Sequence, residues 1–177
     1  MDAFIDRTYH NEIVSSFEKD SVPYILQVFG GECCMEDVIE ANTYLSGIGF
    51  ESGGLSGAHS IHNGMTVLEE THKLLHGEKV AYGALTQLML ENRPEGEVES
   101  IARFCKKVGL PTTLKDLGLA DVTDDRLLEA AKETCKPDDT MVNMPFEVSP
   151  EMIIEAMRKV DALGKRVAIS DNTPICP

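Results

Sequence analysis

Apolar residues at helical spacing limit the folds open to this sequence more than any other feature. From about residue 35 onward, apolar side chains return every three or four positions, which places them along one side of successive helices. No convincing alternation of apolar and polar residues indicates a sheet, and the one strand-like run is residues 24–29. We therefore predict an all-α fold, a helical bundle that follows an irregular N-terminal segment.

Signals at helix ends divide this pattern into separate helices. The predicted ranges are residues 35–47, 55–68, 77–92, 94–108, 124–135 and 148–166. The last is the clearest, because Ser149 is a preferred N-cap residue and Pro150 suits the first helical position. The glycine-rich residues 47–54 are predicted to form a flexible loop after a first helix that ends at Gly47.

Three regions follow from this pattern. Residues 1–34 form an N-terminal segment, residues 35–170 form the helical domain, and residues 171–177 form a flexible tail. A chain of 177 residues, of which 42% are hydrophobic, is long enough for one compact domain.

Charge and cysteine content exclude several classes of function. The net charge is −14, from 30 acidic and 16 basic residues, so the chain repels nucleic-acid phosphates and anionic membranes. No apolar run reaches the ~20 residues of a membrane helix, and the acidic N-terminus is unlike a signal peptide. The five cysteines are odd in number and lack CxxC spacing, which favours reduced thiols. We expect a cytoplasmic protein without nucleic-acid or membrane partners.

The glycines of GIGFESG are a weak candidate for a cofactor site. Gly47, Gly49 and Gly53 superficially resemble a dinucleotide-binding loop. That motif needs a preceding strand and a different third spacing, whereas the residues before Gly47 have a helical pattern. We interpret these glycines as a helix-terminating loop that leaves room for close approach.

The histidines are a stronger signal. His59 and His62 lie three positions apart, and His72 and His76 lie four apart, so either pair would share one face of a helix. A third arrangement joins His59 to His76 across two antiparallel helices. Two neutral imidazoles and a carboxylate, with one position open, commonly hold a catalytic divalent metal. The residues alone do not choose among these arrangements, or exclude histidines that simply bond to the backbone.

A longer run of sequence carries a family resemblance. The segment EANTYLSGIGFESGGLSGAHSIHNGMTVLEETHKLLHGEKVAYGALTQLMLEN closely resembles the C-terminal helical domain of glycerol dehydrogenases, within the iron-containing alcohol dehydrogenase superfamily. The likeness continues through FCKKVGLPTTLKDLGL and NMPFEVSPEMIIEAMRKVDALG, and covers about residues 36–168. It implies metal-assisted, NAD-dependent oxidation of glycerol, or a related small polyol, to the ketone.

The resemblance also implies roles for individual residues. The family's zinc- or iron-binding histidines, in the motifs AHSIHNG and HGEKVA, are His59 and His76 here. His62 is implied to be an active-site neighbour, and Phe50 of GFESGG matches a position in the wall of the substrate pocket. His72 has no family role, and we interpret it as a surface residue. Beyond the metal site no catalytic residue is assigned, and no residue is assigned to cofactor binding.

Two parts of a complete family member do not match this sequence. The family binds NAD in an N-terminal α/β domain, and its third metal ligand is an aspartate upstream of the matching region. Residues 1–34 do not match the family, so Asp2, Asp6 and Asp20 are not assigned as that ligand. We therefore expect a weak metal binder that is inactive alone and forms a homo-oligomer, with a separate nucleotide-binding subunit as one possible partner.

Several alternatives stay open. The chain is a fragment of a longer enzyme, one half of a split enzyme, or a non-catalytic helical assembly module left from a dehydrogenase. In the assembly module, the apolar helix at residues 80–90 would contribute to an exposed interface. A metal-dependent hydrolase is disfavoured, because no well-placed general base accompanies the histidines.

Overall fold

A computed structural model describes residues 46–167 of the chain, except for the side chains of residues 46, 50, 51 and 53. The chain divides into two compact units, Met1–Gly54 with Ser170–Pro177, and Leu55–Ile169. The predicted domain limits at residues 35 and 170, the strand-like run and the predicted tail all lie outside the described residues. So does nearly all of the first predicted helix.

The described residues form six α-helices, two short 3-10 helices and no strand, so the all-α prediction is confirmed. The α-helices are α1 Ser46–Gly53, α2 Gly57–Met65, α3 His76–Leu90, α4 Glu95–Lys107, α5 Asp124–Thr134 and α6 Pro150–Arg166. The 3-10 helices are Glu69–Thr71 and Thr140–Asn143. Helices α2 to α6 lie within their predicted ranges or within one residue of them, whereas neither 3-10 helix was predicted.

Helix α1 corrects the prediction for the glycine-rich residues. The sequence predicts a loop at residues 47–54, but the chain is helical from Ser46 to Gly53. Glycine lowers helix propensity by about 1 kcal/mol relative to alanine without forbidding the helix. Among the described residues of this run, the left-handed backbone that often ends a helix occurs at Gly54 (φ 66°). The stop signal is therefore the last glycine of the run and not Gly47.

Helix α3 forms the centre of the Leu55–Ile169 unit. It packs against α2, α4 and α6, while α5 packs against both α2 and α6. Within α3, Met89 is half-buried, and five apolar residues of the same helix are buried: Val80, Ala81, Ala84, Leu85 and Leu88. Tyr82 is also buried, and its hydroxyl donates a hydrogen bond to the Met157 carbonyl of α6 at 2.8 Å.

The ends of the later helices follow the local signals. The Thr123 hydroxyl accepts a hydrogen bond from the Arg126 N–H and caps α5, and the Ser149 hydroxyl accepts one from the Met152 N–H and caps α6. Gly109, just after α4, has the left-handed backbone (φ 81°) that favours glycine. Within residues 46–167, no helix is long and apolar enough to cross a membrane. The two cysteines of this range, which are Cys105 and Cys135, are free thiols.

The backbones of α2 and α3 approach each other closely at Ala58 and Gly83. A Cβ atom added at Gly83 would overlap the Ala58 carbonyl oxygen. One turn further along α3, Gln87 Oε1 accepts a hydrogen bond from the Ala58 N–H at 2.8 Å. The small residues at the start of α2 therefore allow close approach of another backbone, and this contact sets the position of α2 on α3.

We expect Gly83→Ala to lower the free energy of unfolding by about 1–3 kcal/mol, because the added methyl group forces α2 and α3 apart. Gly96→Ala is the matched control, since a Cβ atom added at Gly96 in α4 meets nothing within 4 Å. The control should raise the free energy of unfolding by about 0.5–1 kcal/mol, because alanine restricts the unfolded chain. Urea unfolding followed by circular dichroism measures both changes. A Gly83→Ala midpoint equal to that of the parent would contradict the close approach.

Candidate metal centre

Helices α2 and α3 bring three imidazoles together in the Leu55–Ile169 unit. His59 and His62 lie one turn apart on α2, and His76 is the first residue of α3. The ring centres of His59 and His76 are 5.5 Å apart, and those of His62 and His76 are 4.4 Å apart. His62 and His76 also share a hydrogen bond, with 3.1 Å between His62 Nε2 and His76 Nδ1. The structure therefore brings both histidines of the AHSIHNG motif close to the histidine of HGEKVA.

The backbone N–H groups of the residues just before His59 and His76 donate hydrogen bonds to side-chain oxygens. The bond from the Ala58 N–H to Gln87 fixes the residue that precedes His59. At the start of α3, Glu78 Oε2 accepts a hydrogen bond from the Leu75 N–H at 2.7 Å, which closes the first turn around His76. His59 and His76 therefore each follow a residue whose backbone N–H is anchored by a hydrogen bond.

All three imidazoles have lowered pKa values. Burial, followed by the neighbouring His76 and His62, lowers the pKa of His59 to about 4, against an opposing effect of Asp139. Partial burial is the largest cause of the lowered pKa values of His62 and His76, and the nearby Lys79 ammonium contributes to both. The rings are therefore neutral at neutral pH, and neutral imidazole is the form that binds metal ions.

A carboxylate from a distant part of the sequence supports this end of α2. Asp139 Oδ1 accepts hydrogen bonds from Ser60 Oγ and the Thr140 N–H, both at 2.6 Å. Asp139 Oδ2 accepts a third from Asn63 Nδ2 at 3.0 Å. Burial raises the pKa of Asp139, but these hydrogen bonds outweigh it and the pKa is lowered overall. Asn63 Oδ1 in turn lies 3.0 Å from His62 Nδ1.

Three residues of this centre were not predicted from the sequence, and these are Asp139, Asn63 and Lys79. Asn63 and Asp139 are 76 residues apart, and no local spacing pairs residues at that distance. Lys79 follows His76 by one helical turn, so the HGEK motif did contain a signal that its ammonium group lies near the site.

The remaining predicted site residues differ in outcome. His72 is exposed and its Nε2 bonds to the Thr66 carbonyl at 2.8 Å, in agreement with a surface role. Phe50 belongs to α1, but its side chain lies outside the described residues, and its place in a pocket wall stays a prediction.

His59 and His76 fit two positions of a divalent metal site. Imidazole nitrogens bind zinc at about 2.0–2.1 Å, which places the centres of two ligand rings about 5–6 Å apart. The observed separation of 5.5 Å suits this arrangement. Neutral nitrogen ligands accept zinc and iron alike. Within residues 46–167, no group of three or more His, Cys, Asp or Glu side chains could hold a metal ion, so this range supplies two candidate ligands and not a complete site.

Several known proteins with similar sequences are glycerol dehydrogenases. No protein-family model matches the chain. The glycerol dehydrogenase of Citrobacter freundii is 54% identical over 132 residues, which are 75% of this chain and 36% of that protein. The glycerol dehydrogenase of Thermotoga maritima is 49% identical over 131 residues, which are 74% of this chain and 36% of that protein. The chain is a homologue of glycerol dehydrogenases. It spans just over a third of the length of these curated relatives.

Solved structures of glycerol dehydrogenases agree with this homology. The enzyme from Schizosaccharomyces pombe matches with a TM-score of 0.75 at 37% identity, over 96% of this chain and 48% of that chain. A probable glycerol dehydrogenase from Sinorhizobium meliloti 1021 matches with a TM-score of 0.71 at 46% identity, over 75% of this chain and 37% of that chain. The resemblance to glycerol dehydrogenases is thereby confirmed.

The lowered pKa of His59 predicts that the metal-free chain becomes less stable in mild acid. Between the ordinary histidine pKa of 6.5 and the folded value of about 4, the unfolded chain binds a proton that the folded chain does not bind. The free energy of unfolding should therefore fall as the pH falls through this window, and the lowered pKa values of His62 and His76 act in the same direction.

Urea unfolding in the presence of a chelator, at about pH 7.5 and about pH 5, measures this change. We expect His59→Gln to reduce the pH dependence and His72→Gln, at an exposed histidine, to leave it as in the parent. An equal pH dependence in the parent and in His59→Gln would contradict the lowered pKa.

Proposed function

We propose that the Leu55–Ile169 unit is the metal-binding part of a glycerol dehydrogenase-like oxidoreductase. In the complete enzyme it takes part in the NAD-dependent oxidation of glycerol, or a related small polyol, to the ketone. The observation that supports this best is the meeting of His59 and His76, from two helices, at a ring separation that suits one metal ion. Homology to glycerol dehydrogenases supports the substrate class.

Each residue of the site has a defined task in this proposal. A zinc or iron ion, when bound, acts as a Lewis acid toward the hydroxyl group of the polyol. His59 and His76 hold the ion as neutral nitrogen ligands, because their lowered pKa values keep a lone pair unprotonated at neutral pH. His62 is proposed to be an active-site neighbour, and Phe50 keeps the pocket-wall role that the family resemblance implies.

The third metal ligand and NAD come from outside the described residues. The matched region is 36% of the Citrobacter freundii relative, and we place the nucleotide-binding part of the enzyme in the remainder. That part belongs to the same longer polypeptide or to a separate subunit. In this proposal the Leu55–Ile169 unit alone is a weak metal binder without dehydrogenase activity. The enzyme is proposed to be a cytoplasmic homo-oligomer.

A non-catalytic assembly module receives less support than it did from the sequence. That alternative uses the apolar helix at residues 80–90 as part of an exposed interface. Helix α3 instead lies at the centre of its unit, covered by α2, α4 and α6, and its apolar side chains are buried or half-buried. Those side chains therefore stabilise the unit itself and are not available to a partner.

Zinc calorimetry on the isolated chain tests the metal site. We expect weak binding of one zinc ion by the parent, and no measurable binding by His59→Ala or His76→Ala, because only one of the two proposed ligands remains. His72→Ala is the matched control and should bind zinc like the parent, since His72 bonds to the backbone. Zinc binding that survives either substitution at position 59 or 76 would show that other ligands hold the ion.

Reconstitution tests the reaction. We expect the chain to oxidise glycerol once it is mixed with zinc, NAD and a polypeptide that carries the nucleotide-binding part of a glycerol dehydrogenase. Formation of NADH, followed by absorbance, measures the rate, and His59→Ala should abolish it. A mixture that forms a complex and retains zinc but stays inactive would contradict the dehydrogenase proposal.

A further inference from the structure

A continuous series of hydrogen bonds runs from Asp139 to His76. Asn63 Nδ2 donates to Asp139 Oδ2 at 3.0 Å. Asn63 Oδ1 lies 3.0 Å from His62 Nδ1, and His62 Nε2 lies 3.1 Å from His76 Nδ1. Asn63 and His62 each contact one neighbour with one polar atom and the other neighbour with a second polar atom. The direction of each hydrogen bond in the series therefore determines the direction of the next one.

The Asp139 carboxylate sets the direction of the series. An ionised carboxylate can only accept hydrogen bonds, and the lowered pKa of Asp139 keeps it ionised at neutral pH. The NH2 group of Asn63 must therefore face Asp139, because the opposite orientation of the amide would place two acceptor oxygens against each other. Asn63 Oδ1 is consequently the atom that faces His62.

The two imidazoles follow from this orientation. An amide oxygen only accepts, so His62 Nδ1 must carry the proton that it donates to Asn63. A neutral imidazole has one N–H, which leaves His62 Nε2 as an acceptor. His76 Nδ1 must then be the donor in the bond between the two rings, and His76 Nε2 keeps its lone pair.

We propose that Asp139 and Asn63 are positioning residues that act through His62 to hold His76 as the Nδ1–H tautomer, with Nε2 free to bind a metal ion. The functional meaning rests on the proposed metal role of His76, but the tautomer does not depend on it. Metal-binding histidines commonly donate their second N–H to an acceptor that fixes the ring. Here that acceptor is His62, which therefore orients a ligand and is not one itself.

A purely structural role for Asp139 makes a different prediction. Asp139 also links α2 to the 3-10 helix Thr140–Asn143, through Ser60 and the Thr140 N–H. If that were its whole contribution, its replacement would change the stability of the chain and leave the proton positions on His62 and His76 unchanged. The tautomers therefore distinguish the two roles.

The parent chain provides the first test. Long-range proton–nitrogen correlation spectra of the metal-free protein at neutral pH identify the protonated nitrogen of each ring. We expect Nδ1–H for both His62 and His76, with the signals assigned from single substitutions. An Nε2–H tautomer at His76 in the parent overturns the proposal, whether or not any variant folds.

Asp139→Asn should reverse the series. The carbonyl oxygen of the new amide takes the place of Oδ1, because it must accept from the Thr140 N–H and Ser60. Its NH2 group then faces Asn63, which turns its own oxygen toward position 139 and its NH2 group toward His62. His62 Nδ1 becomes an acceptor, and His76 becomes the Nε2–H tautomer. An unchanged His76 tautomer in this variant overturns the proposal.

Two further variants control for charge and for general disruption. Asp138→Asn removes the same charge from the adjacent exposed residue, which has no hydrogen bond to this series among the described residues, and should leave both tautomers as in the parent. The double change Asn63→Asp with Asp139→Asn exchanges amide and carboxylate. The new carboxylate accepts from the new amide and from His62 Nδ1–H, so the Nδ1–H tautomer of His76 should return.

Zinc calorimetry on the same variants separates this proposal from the metal site itself. We expect Asp139→Asn to bind zinc about 10–100-fold more weakly than the parent, and the double variant and Asp138→Asn to bind like the parent. Reversed tautomers in Asp139→Asn without zinc binding by the parent would confirm the positioning and overturn the metal role. Unchanged tautomers with parent-like zinc affinity would overturn the positioning and leave the metal site intact.

Discussion

The close approach of α2 and α3 is the contact on which the rest of the site depends. Gly83 leaves room for the Ala58 carbonyl, and Gln87 holds the Ala58 N–H, so the residue before His59 is fixed against the middle of α3. Helix α3 is held in turn by α6, partly through the buried hydroxyl of Tyr82. The imidazoles therefore project from the packed core of the unit, and residues on such elements hold their geometry better than residues on loops.

Local chemistry explains which parts of the fold were predictable. The Thr123 and Ser149 hydroxyls accept hydrogen bonds from N–H groups in the first turn of their own helices. Gly109 adopts a left-handed backbone without the steric cost of a Cβ atom. Each of these effects acts over only a few residues. The buried stripe of α3 is likewise a matter of period along one helix. The site could be predicted only in part from the sequence. Periodicity identifies the helix faces that carry His59 and His76, but it does not show that the two side chains meet. The resemblance to a family supplied that pairing.

What the sequence did not reveal depends on contacts between distant residues. Asp139 reaches Ser60 and Asn63 across more than seventy positions, and nothing in its neighbourhood marks it as part of the site. Helix α1 shows the opposite limit, since glycines that favour a loop by propensity form a helix that ends at Gly53, just before the left-handed Gly54. Propensity is a small energy per residue, and the rest of the chain can outweigh it.

Neutral nitrogen ligands leave the charge of a metal ion uncompensated. The Lys79 ammonium lies near the same rings, and Asp139 is engaged by Ser60, Asn63 and Thr140. A carboxylate ligand from outside residues 46–167 would therefore meet an excess of positive charge and be attracted to it as well as to the ion. On the proposed function, metal retention would be a measure of assembly. An ion that exchanges readily from this unit alone would be held firmly once the remainder of the enzyme supplies the missing charge.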